Sequence, residues 1–279
     1  MMAAAVAYPQ LTPAARTRAD ALLRLNPSYD QWVAGVPAPQ RAAIAFLRAA
    51  TWADAIKHAP DYRNDAEQPQ GPQASRNLGY RDYLQHRYWH YIDVPFSPDH
   101  TPRRAPRRPN VGTQIAAFRR VIASSSASAA LQSYDLVWLL HLVADAHQPL
   151  HAAERFTQAQ PAGDEGGNLV ALCARPCRRE LHGFWDAVLG AGRDPGRARR
   201  AAAQLPPSDA RLAAISDESR WIEESFQLAQ RSAYAAPIGA GMGPFTLTPG
   251  YRQDARQIAR ARIALAGTRL ARLLNQAFK

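Results

Sequence analysis

Apolar residues recur along most of this chain at helical spacing, and no alternation of useful length marks a strand. "TPAARTRADALLRL" (12–25) opens with a threonine in the capping position and a proline at the first helical position, so it predicts a helix that starts there. "APQRAAIAFLRAATWADAIKHA" (38–59) carries one continuous helical pattern. The pattern stops in the polar segment "PDYRNDAEQPQGPQASRNLG" (60–79), which reads as a loop, and again in "PFSPDHTPRRAPRRPN" (95–110), proline-rich, basic and hence extended and exposed. It resumes in "VGTQIAAFRRVIASS" and from Ser133 to Ala146, where Pro149 must end or kink the helix because proline lacks an N–H and its ring crowds the preceding turn. Toward the C-terminus, Trp221, Ile222, Phe226 and Ala229 form one apolar stripe, and Ile263, Ala266, Leu270, Leu273 and Leu274 another. The expected class is all-α, a multi-helix fold, with no internal repeat.

Size and composition set outer bounds. With 279 residues, 47% of them hydrophobic, the chain can bury a sizeable core as one large domain or two small ones. Charges interrupt every apolar stretch before the roughly 18 to 20 residues that a membrane span needs, so the expectation is a soluble protein with no stable membrane insertion. The formal charge of +11 favours polyanionic partners, nucleic acid or an anionic membrane surface. Nearly all of it is arginine, Lys57 and Lys279 being the only lysines, and that enrichment also fits simple coding bias. Cys173 and Cys177 in "CARPCRRE" allow a small disulfide loop, two free thiols or a metal site, with the disulfide as the first reading. The N-terminus lacks the apolar stretch and basic region of an export signal.

The candidate chemistry lies in "LLHLVADAHQPLHAAERF". His141 and Asp145 stand at i and i+4, about 5 to 6 Å apart on one helix face, a geometry that grips a metal ion and equally suits an ordinary hydrogen-bonded pair. His182 and Asp186 in "ELHGFWDAVLG" repeat the spacing, and His151 lies close behind the first pair. Two such pairs together favour the metal. Imidazole nitrogen and carboxylate oxygen suit zinc, and a carboxylate that bridges clustered ions suits phosphoester hydrolysis. Between the pairs lies "AGDEGGNLV", whose glycines allow positive φ and close backbone approach.

The ordered series "TWAD" (51–54), "HYID" (90–93), "HLVADAHQPLH" (141–151), "GGN" (166–168) and "LHGFWD" (181–186) resembles the zinc-dependent nucleases of the nuclease S one and nuclease P one type, distantly related to bacterial zinc phospholipase C. The resemblance implies an α-helical domain, here 1–279, with a cleft for three zinc ions that hydrolyses single-stranded DNA and RNA to 5′-nucleotides, with 3′-nucleotidase activity in many members. By motif match, one zinc takes Asp54, His90, His141 and Asp145, and a second takes His151, His182 and Asp186, with Asp145 bridging to the third. Asp93 matches the residue that orients or activates the attacking water. Lys57 stands where the family usually has arginine and would neutralise charge in the transition state. Tyr91 occupies an aromatic position suited to stacking on a base, and Asn168 would touch the scissile phosphate or a metal-bound water. His58, His86, His100 and His147 match no ligand position, and Trp52 reads as core.

Two departures stand out. The family's Trp-Gly-x-x-Gly-His segment, which holds the third zinc, is not in this chain, so the ligands present account for two zincs. "ALCARPCRR" is inserted before the last His/Asp pair, with arginines suited to a phosphate backbone. The resemblance implies a periplasmic or secreted protein. The alternatives are a phospholipase C acting on lipid headgroups, and an inactive binding module that uses zinc to hold its helices.

Overall fold

The helix from Ala129 to Asp145 is apolar nearly all round, so it can be satisfied only at the centre of the molecule. Residues Gln132 to Val143 are all buried, and the Ser128 hydroxyl caps the start by accepting from the Leu131 N–H. The computed structural model describes residues 1–174 and 179–279 and confirms an all-α architecture. Around the central helix pack Pro13–Leu23, Trp52–Ala55, Val111–Ile122 and the long C-terminal helix Pro249–Ala277. Thr12 accepts from the Ala15 N–H and Pro13 follows it, as the capping pattern predicts. Asn110 and Thr113 form a reciprocal capping box at the start of Val111–Ile122.

The short helix Met2–Ala7 lies on the C-terminal helix at Gly267. A Cβ at Gly267 would stand 2.5 Å from the Val6 Cβ and 2.6 Å from the Ala3 carbonyl oxygen, so the crossing needs a residue without a side chain.

Two expectations change. The pattern over 38–59 is not one helix: it divides into Arg41–Ala49, Trp52–Ala55 and a single tight turn, Ile56–His58. Thr51 turns its hydroxyl back to the Arg48 carbonyl at 2.9 Å, and the Ala50 carbonyl faces His141. Tertiary bonding therefore overrides a continuous apolar period. The central helix also begins at Ala129, four residues before the expected start, because the Ser128 hydroxyl caps it there. The remaining expectations hold for 60–79, where only short turns interrupt the loop, and for the exposed arginines Arg103 and Arg104.

Among the described residues the only strands are Pro95–Phe96 and Glu154–Arg155, paired in parallel with Pro95 opposite Glu154. This clip ties the chain after His90 to the chain after His151, and the Ile92 N–H extends it by donating to the His151 carbonyl at 2.8 Å. Two apolar clusters meet nearby. The larger surrounds Trp52, Trp89 and Trp138, with Trp52 edge-on to Tyr62, Tyr80, Tyr134 and Trp138. The smaller surrounds Trp185 and Tyr251. In the turn Pro149–Ala152, Leu150 belongs to the smaller cluster and Ala152 to the larger, so His151 sits at their junction. Among the described residues no helix is long and apolar enough to cross a membrane.

Candidate metal centre

His141 leaves the central helix toward a point shared with His90 and Asp145. Its Nδ1–H donates to the Ala50 carbonyl at 2.8 Å, which fixes the tautomer and leaves the Nε2 lone pair pointing into the site. That Nε2 lies 3.1 Å from His90 Nδ1 and 3.2 Å from Asp145 Oδ2, and His90 Nδ1 is 3.0 Å from the same oxygen. Asp54 reaches in from the Trp52–Ala55 helix, its Oδ1 3.7 Å from His141 Nε2 and 4.0 Å from His90 Nδ1. The break at Ala50 and Thr51 thus serves the site twice: it frees the carbonyl that orients His141 and it redirects the chain so that Asp54 faces inward.

The second group is built from turns. His151 Nδ1–H donates to the His90 carbonyl at 2.8 Å, and His182 Nδ1–H donates to the Gly166 carbonyl at 2.9 Å. Their Nε2 atoms then face each other at 3.2 Å, with Asp186 Oδ1 3.3 Å from His151 Nε2 and Asp186 Oδ2 3.6 Å from His182 Nε2. Asp145 Oδ2 lies 3.9 Å from His151 Nδ1, so one carboxylate spans both groups.

Gly166 explains the glycine turn. Its φ is +59°, and a Cβ there would stand 2.7 Å from the Leu150 carbonyl oxygen, so the turn that presents the Gly166 carbonyl to His182 requires glycine. Asp164 holds the turn from below, accepting from the Arg155 N–H, the Gly167 N–H and the Tyr234 hydroxyl.

Electrostatics tests whether a cation fits. Burial would raise Asp54 and Asp145, yet His141 with Lys57 beside the first, and His141 with His151 beside the second, hold both well below the usual carboxylate range. Asp186 is held at about 2 against burial by His151. Burial would lower His141 and His151, but the carboxylates overcome it: Asp145 and Asp54 raise His141, and Asp145 and Asp186 push His151 up to about 9. Burial, with Lys57, lowers His90 to about 4, and burial followed by His151 lowers His182. Ionised carboxylates therefore draw a proton onto one imidazole of each group, His141 and His151, while its neighbour, His90 or His182, stays neutral. Positive charge belongs at these two points, and the donor set, nitrogen and carboxylate oxygen, suits zinc.

The site opens onto a cavity of about 160 Å³ whose lining includes Asp145, His151, Asp186, Met2, Trp185 and Ile263. The Met1 amine is buried nearby, lowered to about 6 by burial against the pull of Asp145 and Asp54.

All seven expected ligand residues are thus brought together, in two sets: Asp54, His90 and His141, and His151, His182 and Asp186, with Asp145 between. Lys57 Nζ lies 2.8 Å from Asp54 Oδ1. Tyr91 keeps its ring partly exposed while its hydroxyl donates to the Glu67 carbonyl, pinning the 60–79 loop to the rim. Asp93 follows on the clip segment. Burial, then Asp164 and Glu165, push it up to about 6 against Arg107. Asn168 is exposed and donates its amide N–H to the Glu165 carbonyl at 2.8 Å, within the turn.

His58 and His100 are exposed. His86 is buried between Asp65 and Asp82, and His147 accepts from Arg269 at 2.9 Å. The proposed pairing of Cys173 with Cys177, and the arginines at 175 and 178, lie outside the described residues.

Sequence reasoning missed the Ala50 and Gly166 carbonyls, which carry no residue-type signal, and Gln148. Its amide N–H donates to Asp186 Oδ1 at 2.8 Å while its carbonyl oxygen accepts from the Leu150 N–H at 2.5 Å. Its place inside "HQPLH", beside a ligand, was the available clue.

The model of the family described as S1/P1 Nuclease matches residues 1–279. The chain belongs to the S1/P1 nuclease family. No curated protein matches it significantly. Membership in the S1/P1 nuclease family assigns a nuclease kind of function, acting on phosphodiester bonds of nucleic acid.

Proposed function

We propose that residues 1–279 form one zinc-dependent nuclease domain that hydrolyses single-stranded DNA and RNA to 5′-nucleotides, with 3′-nucleotidase activity beside it. The observation that carries this reading is the pair of imidazole contacts at 3.1 and 3.2 Å, each flanked by an ionised carboxylate. Asp54, His90, His141 and Asp145 would hold one zinc and His151, His182 and Asp186 a second, with Asp145 the shared carboxylate that would also reach a third. When bound, such ions supply Lewis-acid charge to the phosphoryl oxygens and the attacking water.

The chain's own residues supply the rest. Asp93, raised toward neutrality, orients the water and accepts its proton. Lys57 offsets negative charge that develops on the phosphoryl oxygens, as a point cation without the bidentate fork of arginine. Tyr91, fixed by its hydroxyl, offers a ring face to a base, and Asn168 offers an exposed amide to the phosphate. The proposed compartment is the periplasm or the exterior, as the family resemblance implies.

The test assays single-stranded DNA, single-stranded RNA and phosphatidylcholine with one preparation. Release of 5′-mononucleotides, abolished by chelation and by His141→Ala or Asp145→Ala, supports the reading. Retained activity in either variant, or cleavage of lipid alone, overturns it.

A further inference from the structure

The helix Leu181–Ala187 aims His182 and Asp186 into the metal centre. Gly183, Phe184 and Ala187 lie on its other flank and form the floor of a separate groove of about 460 Å³. Arg179, Arg252 and Arg256 line that groove, with Glu180 as the acid at its edge. We propose that this groove is a track for the phosphodiester backbone of a single-stranded polynucleotide beyond the bond being cut, a proposal that rests on the nuclease reading above.

Four observations carry it. Arg252 and Arg256 are exposed, and among the described residues neither forms an ion pair. That sets them apart from Arg87, Arg119, Arg262 and Arg269, each bound to a glutamate. Second, they stand one helical turn apart, about 6 Å along the axis, a repeat comparable to that of successive phosphates in an extended strand.

Third, the Arg252 guanidinium lies over the Phe184 ring at 5.6 Å, and that ring is partly exposed. A basic groove that interleaves arginine with an aromatic platform is how single strands are held without sequence preference. Fourth, the groove and the metal centre are backed by the same helix, whose diameter of about 10 Å separates them by roughly one or two nucleotides.

The other basic segment is less suited. Arg103 and Arg104 line a groove there, but no phenylalanine, tyrosine or tryptophan lines it with them to offer a base a platform.

Binding of a fluorescently labelled single-stranded oligothymidylate, followed by anisotropy, tests the track. The full chain carrying His141→Ala serves as background, so that turnover does not interfere. Adding Arg252→Glu and Arg256→Glu should weaken binding about tenfold or more, and reduce the slope of log affinity against log salt by roughly 1.4, about 0.7 for each phosphate no longer neutralised. Phe184→Ala should weaken binding about tenfold through the loss of base stacking with the salt slope unchanged. Unaltered affinity and slope in the double arginine variant overturn the proposal.

The two readings fail separately. Arginine-dependent binding by a chain whose unsubstituted form cleaves no nucleic acid upholds the track and removes the hydrolase. Normal cleavage with arginine-independent binding removes the track alone.

Discussion

The two ligand groups use the same residue types but are supported in different ways. In the first, His141 and Asp145 stand on a 17-residue helix through the core, and His90 is only 3% exposed with its ring edge-on to Trp138 at 5.5 Å. In the second, His151 sits on a four-residue turn and His182 and Asp186 on a seven-residue helix, while the outer carboxylates of the two groups, Asp54 and Asp186, are both about half exposed. Core packing positions the first group, so its geometry and the fold are coupled. Backbone carbonyls and the Gln148 amide position most of the second, so it can be disturbed while the fold persists. Asp145, at 12% exposure, belongs to the first group by support and touches the second by reach.

That contrast can be broken most sharply at His141. His141→Ala should lower kcat/KM on single-stranded DNA by about a hundred- to a thousandfold or more, the scale of losing a preorganised charge-stabilising element. It should also reduce bound zinc, counted by elemental analysis. An unchanged zinc count would show that His141 is not a ligand.

Asp186→Ala should cost activity on a similar or slightly smaller scale, yet remove only about one zinc and lower the stability of the metal-free protein by about 1 kcal/mol or less, the scale of a half-exposed ion pair. Loss of both ions would show that the two groups are not separable. Gly166→Ala tests the turn itself. The strained φ and the clash with the Leu150 carbonyl should destabilise by about 1–3 kcal/mol, and misdirection of His182 should weaken zinc binding in the second group about 10- to 100-fold. Normal zinc titration would remove the carbonyl from its assigned role. Gln148→Ala should have the smallest effect, about tenfold on that same affinity, read from zinc competition with a chelator. If the first group's affinity fell instead, Gln148 would be supporting the wrong half.

Much of the fold was legible residue by residue. Thr12 with Pro13, the apolar surround of Leu136 to Val143, and Pro149 after the last turn each carry a local signal that the structure honours. The break at Ala50 was not legible, because alanine and threonine continue a helical pattern and the carbonyl's partner lies 91 residues away. The pairs His141 with Asp145 and His182 with Asp186 were readable from spacing, whereas the allocation of Asp54, His90 and His151 came from family resemblance. Gln148 and Asp164 went unnoticed since neither type of residue announces that it will brace a neighbour.

By itself the sequence determined that the chain is helical, which residues form its apolar faces and which ligand pairs share a helix turn, because a helix repeats every 3.6 residues and its faces follow from counting. Only the tertiary structure decided that two such pairs, an early aspartate and two histidines from turns would meet around one carboxylate. Convergence depends on the path of the intervening chain: the strand clip at Pro95 and Glu154, the carbonyls that aim each imidazole, and the glycine that lets one of them approach. Those are long-range backbone contacts, and no local period encodes them.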